Sequence, residues 1–241
     1  LWDLGLPNLR ILLYRRVDAE KPPRAWTGPC GMIAEEKLLL PNRGRDAAAF
    51  YDYAVEHYAR PPLAFAVLHG HVAHSWHTSC HAVFTRITRY YAGLASPTSR
   101  PNVKGMVTLT SKSQDDPNRD PLDWFGGRKL LTEHSREEAK FKELGVSVKN
   151  NGFKSCCGSF ITLGSNLKKN DVTAYLKLKE YTIDESLRDD QTARFGYEFI
   201  VYGLWDDPAS PRVQAEAWYK EADEMAVDAL LSKIEKCDRK A

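Results

Sequence analysis

Five of the chain's seven histidines, His69, His71, His74, His77 and His81, fall within thirteen residues directly after the apolar run Leu63-Ala64-Phe65-Ala66-Val67-Leu68. Imidazole is the commonest metal-ligating side chain and the one that titrates nearest neutral pH, so this density points to a metal, a phosphate or a proton. His69 and His71 are one residue apart and face the same way on an extended segment. His77, or alternatively His74, supplies a third ligand, because the two are three apart and share a face if the segment turns helical. Such nitrogen donors favour zinc, iron, nickel or copper, and three of them with one open position could activate water or dioxygen. The bland reading of the same residues is a loop with surface histidines.

The elements that must position these groups are legible around them. The run 63–68 follows Pro61-Pro62 and reads as a strand covered on both faces, with the histidines at its C-terminal end. In open α/β sheets that end is where ligands bind. Upstream, residues 9–14 form a first strand, residues 22–31 a loop carrying Trp26 and Cys30, and residues 37–40 a second strand. The second strand ends at Pro41-Asn42-Arg43-Gly44-Arg45-Asp46, after which Ala47, Phe50, Tyr53, Ala54, His57 and Tyr58 recur at helical spacing over residues 46–59. Strand, turn, helix, strand is the grammar of a single α/β domain with a mainly parallel, Rossmann-like sheet flanked by helices, in which the three strands are neighbours. The turn offers backbone N–H groups with Arg43 and Arg45 beside them, which suits a phosphate, and Asp46 is positioned to cap the helix. A structural turn with solvated arginines fits these residues equally well.

Farther along, Val83, Phe84, Ile87, Tyr90, Tyr91 and Leu94 predict a second helix, residues 103–110 a strand, and residues 111–129 a long loop. The capping box Ser135-Arg136-Glu137-Glu138 opens a short helix that ends at Gly145. Residues 160–163 are strand-like, Asp171 caps a helix running through Tyr181, and Tyr197, Ile200, Val201 and Leu204 place one stripe on another. The α/β domain is expected over 1–208, and residues 209–241 form a charged C-terminal helix packed on its outside. Trp76, Trp124 and Trp205 are either sugar-stacking platforms or core.

Composition sets outer limits. The chain of 241 residues is long enough to bury a sizeable core, and 43% hydrophobic with 27% charged residues is ordinary globular usage. A formal charge of +2, from 34 basic and 32 acidic residues mixed along the chain, argues against a general nucleic-acid binder. No apolar run approaches the roughly 20 residues that span a bilayer. The chain starts at Leu1-Trp2-Asp3 without Met and without signal-peptide features, so the expectation is a mature or trimmed fragment from which any export or anchor segment has been lost. The five cysteines include no C-x-x-C pair; Cys156 and Cys157 are expected as small buried residues or as one end of a disulfide to Cys80 or Cys30.

Asn42-x-Gly44-Arg45-Asp46 with its Tyr-rich helix, Leu68-His69-Gly70-His71 with Trp76-His77, Cys156-Cys157-Gly158-Ser159-Phe160, Tyr175 with Leu178, and Gly196-Tyr197-Glu198 with Trp205 together resemble a fungal and algal family known only as a domain of unknown function. The resemblance covers about residues 9–205, and that family is distantly similar to GT-A type glycosyltransferases. It implies a nucleotide-sugar donor held at the C-terminal edge of a GT-A-like sheet by Asn42, Arg43, Gly44, Arg45 and Asp46, with a carbohydrate or glycoprotein acceptor. It places His69 and His71 where such enzymes carry Asp-x-Asp, with a divalent metal (manganese, zinc or another) as expected cofactor and the secretory pathway, Golgi or extracellular, as expected location. Glu198 then takes the proton from the acceptor hydroxyl. An ion pair of Glu198 with Arg194 on its own helix is the plain alternative. Two other classes stay open: a metal-dependent hydrolase or oxidoreductase built on the cluster at residues 69–81, and a catalytically silent carbohydrate-binding or interaction domain.

Overall fold

The computed structural model describes residues 9–15, 20–28, 31–39, 41, 43–68, 83, 86–88, 90–91, 94, 107–109, 141–145, 159–187 and 205. Strands β1 (Arg10–Arg15), β2 (Ala25–Thr27) and β3 (Ile33–Leu38) form one sheet in the order β1-β3-β2, with β1 parallel and β2 antiparallel to β3. Helix α1 (Arg45–His57) leads to a second sheet of β4 (Ala64–Val67), β5 (Val107–Thr108) and β6 (Phe160–Leu163). In that sheet β6 lies between β4 and β5 and is antiparallel to both. A 3-10 helix, Gly164–Lys169, then leads into helix α2 (Val172–Ile183).

Helix α1 forms because its apolar residues fall on one stripe. Ala47, Phe50, Tyr51 and Ala54 are all buried, at i, i+3, i+4 and i+7. Helix α2 answers with Ala174, Tyr175 and Leu178, and starts at Asp171, whose carboxylate accepts from Thr173 N–H at 2.8 Å. That bond holds the Asp171 carboxyl below its usual range. The two helices are clamped at their flank by Lys179 and Asp52, 2.5 Å apart. Leu167, Phe65, Phe160, Phe141 and Trp205 complete the cluster, with Phe50, Phe65 and Phe160 each meeting the Trp205 ring edge-on at 5.6–6.0 Å. Trp205 is therefore core, and its Nε1–H donates to Tyr175 Oη at 2.9 Å. Burial pushes the Tyr175 phenol up to about 12, although bonds with Trp205 and Asn170 act the other way.

Three features differ from the sequence reading. The run 63–68 does not lie beside β1 and β3: β4 pairs antiparallel with β6 instead, so the three strands occupy two sheets and only one of the four described pairings is parallel. An apolar run reports that a strand is buried, and carries no information about which distant segment supplies its neighbour. Nor is the run covered throughout, since Leu63 is 72% exposed and Ala66 is exposed. The segment 22–31, expected as a loop, contributes β2, whose exposed residues carry no burial pattern to announce it. The second strand lies at Ile33–Leu38 rather than 37–40, because the consecutive charged residues Glu35, Glu36 and Lys37 mask a strand paired through charges. The loop at 111–129, the helix at 197–204 and the C-terminal helix at 209–241 lie outside the described residues.

The junction between the sheets and helices is tight at Gly164. Its N–H donates to Leu63 O at 3.1 Å, and a Cβ there would sit 1.8 Å from the Pro62 carbonyl oxygen. Among the described residues no helix is long and apolar enough to cross a membrane.

Removing the acceptor of the buried indole should be costly, because an unpaired donor in the core keeps its full desolvation penalty. Tyr175→Phe is expected to lower unfolding free energy by about 1–3 kcal/mol in urea titrations. The Tyr175→Phe/Trp205→Phe double variant should cost less than the sum of the single variants, and strict additivity would show that the bond is not the anchor.

Candidate functional site

The turn before α1 is built by glycine. Gly44 has φ +71 and stands at the helix N-cap without any side-chain capping bond, and Ala48 N–H donates to its carbonyl at 3.1 Å. A residue with a Cβ would be strained there twice over, by the left-handed backbone and by the Thr182 carbonyl oxygen, 2.6 Å from the Cβ position. The N-terminal end of α1 is thus pressed against the C-terminal end of α2. Arg43, expected to be solvated or to meet a phosphate, is half-buried and donates from Nη2 to the Leu187 carbonyl just beyond α2. Asp46 does not cap: the cap position belongs to Gly44, and Asp46 sits in the first helical turn, where its negative charge faces the positive end of the helix dipole. Of the expected donor-binding set, the geometry gives Arg43 and Gly44 packing roles. Asn42 and the side chain of Arg45 lie outside the described residues.

At the other end of α1 the chain builds a polar layer that sequence reasoning missed. Strand alternation and the β1–β3 register put Arg10, Leu12 and Tyr14 on one face with Ile33, Glu35 and Lys37. Lys37 Nζ pairs with Glu56 of α1, and Arg10 pairs with Glu35 at 2.6 Å. The His57 ring lies 4.4 Å from that of Tyr53, which in turn lies 5.1 Å from Phe65. Tyr14 Oη and His57 Nε2 are both buried, with no hydrogen-bond partner among the described residues. Burial pushes the Tyr14 phenol up, reinforced by the carboxylates of Asp52 and Glu56. Burial also holds His57 below the usual histidine value, with Lys37 and Arg10 acting in the same direction and Glu56 and Glu35 against it. At Glu56 burial acts upward, yet the bond and charge of Lys37 leave the carboxyl below its usual range. In the sequence His57 reads as one more member of the helical stripe, and the clue available there was its facing neighbours, which only the register reveals.

The third place is the end of β4. Val67 stands opposite Phe160, Thr108 stands opposite the same residue, and Leu109 N–H donates to Ser159 O at 2.9 Å. Arg86, only 5% exposed, donates from Nη1 to Leu109 O at 2.5 Å. Its position amid Val83, Ile87 and Tyr90, all buried, hid it within an apolar pattern. The described chain ends here at Leu68; His69, His71, His74, His77, Cys156, Cys157 and Glu198 lie outside the described residues, and so do Trp76 and Trp124. Among the described residues no three His, Cys, Asp or Glu groups are gathered as a metal would need.

Gly44→Ala should lower unfolding free energy by about 2–4 kcal/mol, the combined cost of the left-handed backbone and the overlap with Thr182. Chemical denaturation checks it, and a loss below about 1 kcal/mol would mean that α2 is not seated against the turn. No protein-family model, no curated protein and no solved structure matches this chain.

Proposed function

We propose that the chain is a glycosyltransferase-like enzyme using a nucleotide-diphosphate sugar, with a GT-A-like arrangement and a histidine-rich site in place of Asp-x-Asp. The observation that supports this most is at the end of β4, where the buried Arg86 guanidinium holds Leu109 O across from the strand end and the sequence runs on through Leu68 into His69-Gly70-His71. In glycosyl transfer the leaving diphosphate gathers negative charge, and fixed positive groups at that point lower the barrier. His69 and His71, with His77 or His74 as a third donor, serve this in one of two ways. As imidazolium groups they donate directly to phosphate oxygens. As neutral imidazoles they would hold a divalent ion, and such donors suit zinc better than magnesium. A metal so held would supply Lewis-acid stabilisation of the diphosphate. In the same reading Asn42, Arg45 and Asp46 lie at the donor, with Arg43 and Gly44 fixing the helix end that presents them. Glu198 accepts the proton of the attacking acceptor hydroxyl.

Calorimetric titration of the wild-type chain and a His69→Ala/His71→Ala variant with zinc, manganese and a uridine diphosphate sugar, at pH values on either side of about 6.5, tests the proposal. Metal binding should weaken as the imidazoles protonate, whereas direct diphosphate binding should strengthen over the same range. Both signals should vanish in the variant. Equal titrations for variant and wild type would remove the histidine site.

A further inference from the structure

Lys37 of β3 pairs with Glu56 of α1, and His57, beside that pair, is placed so that a proton changes its alliances. We propose that His57 is a proton-operated latch between α1 and the β1–β3 strand pair, closed with the imidazole neutral and released when it is protonated.

The geometry sets out the competition. His57 is the last residue of α1, with Nε2 buried and without a hydrogen-bond partner among the described residues, and its ring against Tyr53. Among the described residues the charged and titratable groups around it are Tyr53 and Glu56 on α1, Arg10 and Tyr14 on β1, and Glu35 and Lys37 on β3. Both carboxylates are already engaged, Glu56 by Lys37 and Glu35 by Arg10. A neutral ring leaves those two pairs undisturbed. A protonated ring gains a donor and brings a third positive charge beside Arg10 and Lys37. A buried donor must find an acceptor, and the carboxylate acting most strongly on the ring is that of Glu56, its neighbour on α1. Taking Glu56 breaks the Lys37–Glu56 link, which among the described residues is the ion pair joining β3 to α1. The helix C-terminus favours the imidazolium, so the new pairing has a place to form.

The sign follows from linkage. The folded chain holds the imidazole below its usual range, so the unfolded or released state binds the proton first. The closed layer is fully stable above about pH 6.5, the ordinary histidine value, and loses stability as pH falls from there through the folded value. The α1–α2 packing, made among the described residues by apolar side chains and the Lys179–Asp52 pair, should not respond.

Hydrogen exchange of the full chain at pH 7.5 and pH 5.0, corrected for the intrinsic rate, reads the latch directly. Peptides covering Arg10–Arg15 and Ile33–Leu38 should lose protection at the lower pH while a peptide covering Val172–Ile183 keeps it. In His57→Gln that selective loss should disappear, and in Lys37→Met it should shrink because the ring no longer competes for Glu56. The same selective loss in His57→Gln, or equal loss across all three peptides in the wild type, would overturn the proposal. If His57→Gln does not fold, the wild-type His57 ring titrated by nuclear magnetic resonance decides: a pKa at or above about 6.5 would overturn it.

Discussion

The packing of Phe50, Phe65, Phe160 and Trp205 is the contact on which the described structure depends. Phe50 comes from α1, Phe65 from β4 and Phe160 from β6, so one group of rings joins a helix to both of the longer strands of the second sheet. Trp205 closes the group from far along the chain, and Tyr175 of α2 holds its indole by the one polar atom it has. Edge-on contacts of this kind fix orientation as well as distance, because the ring edge is positive and the face negative. The strand end that precedes the histidines is thereby carried on a buried aromatic cluster.

The two sheets are attached to α1 by different physics. The second sheet shares an apolar cluster with the helix, and such burial is indifferent to pH and strengthened by salting-out ions. The first sheet offers α1 a face carrying Arg10, Leu12, Tyr14, Ile33, Glu35 and Lys37, and among the described residues the Lys37–Glu56 ion pair ties it to the helix, where water and salt can weaken it. Exposed pairs contribute little, and the Glu56 side chain is 41% exposed, so this attachment is the weaker of the two. A weaker, charged attachment next to a strong apolar one allows one sheet to loosen while the other stays packed, which is the physical basis for treating the His57 layer as a device rather than a defect.

Both ends of α1 are therefore under constraint, but of opposite kinds. At Gly44 the absence of a side chain lets the Thr182 backbone approach, and Arg43 secures the same contact from outside by bonding Leu187 O. At His57 the side chain is present and its buried nitrogen has no partner among the described residues. The first arrangement is rigid because sterics admit no other solution; the second is poised because its charges have more than one pairing.

Local patterns by themselves placed α1 and α2, though not the residue that caps α1, which is Gly44 rather than Asp46. The i, i+3, i+4, i+7 spacing in α1 and the Asp171 cap of α2 are properties of a few adjacent residues, and adjacent residues settle them. The positive φ of Gly145 closing a helical turn was legible for the same reason. Residues 160–163 were legible as a strand because a short apolar run with β-branched members has few other uses. What tertiary structure alone decided was partnership. The pairing of β4 with β6 joins segments about a hundred residues apart in the chain, and β2 shows no pattern because neither of its faces is buried. The same holds for the candidate sites: histidine density could be read directly, whereas the role of Arg43 as a helix-end clasp, of Arg86 behind the strand end and of His57 among four charged neighbours depends on groups that the fold brings from elsewhere. A side chain's type sets what chemistry it is capable of, and its neighbours across space set which of those capacities is used.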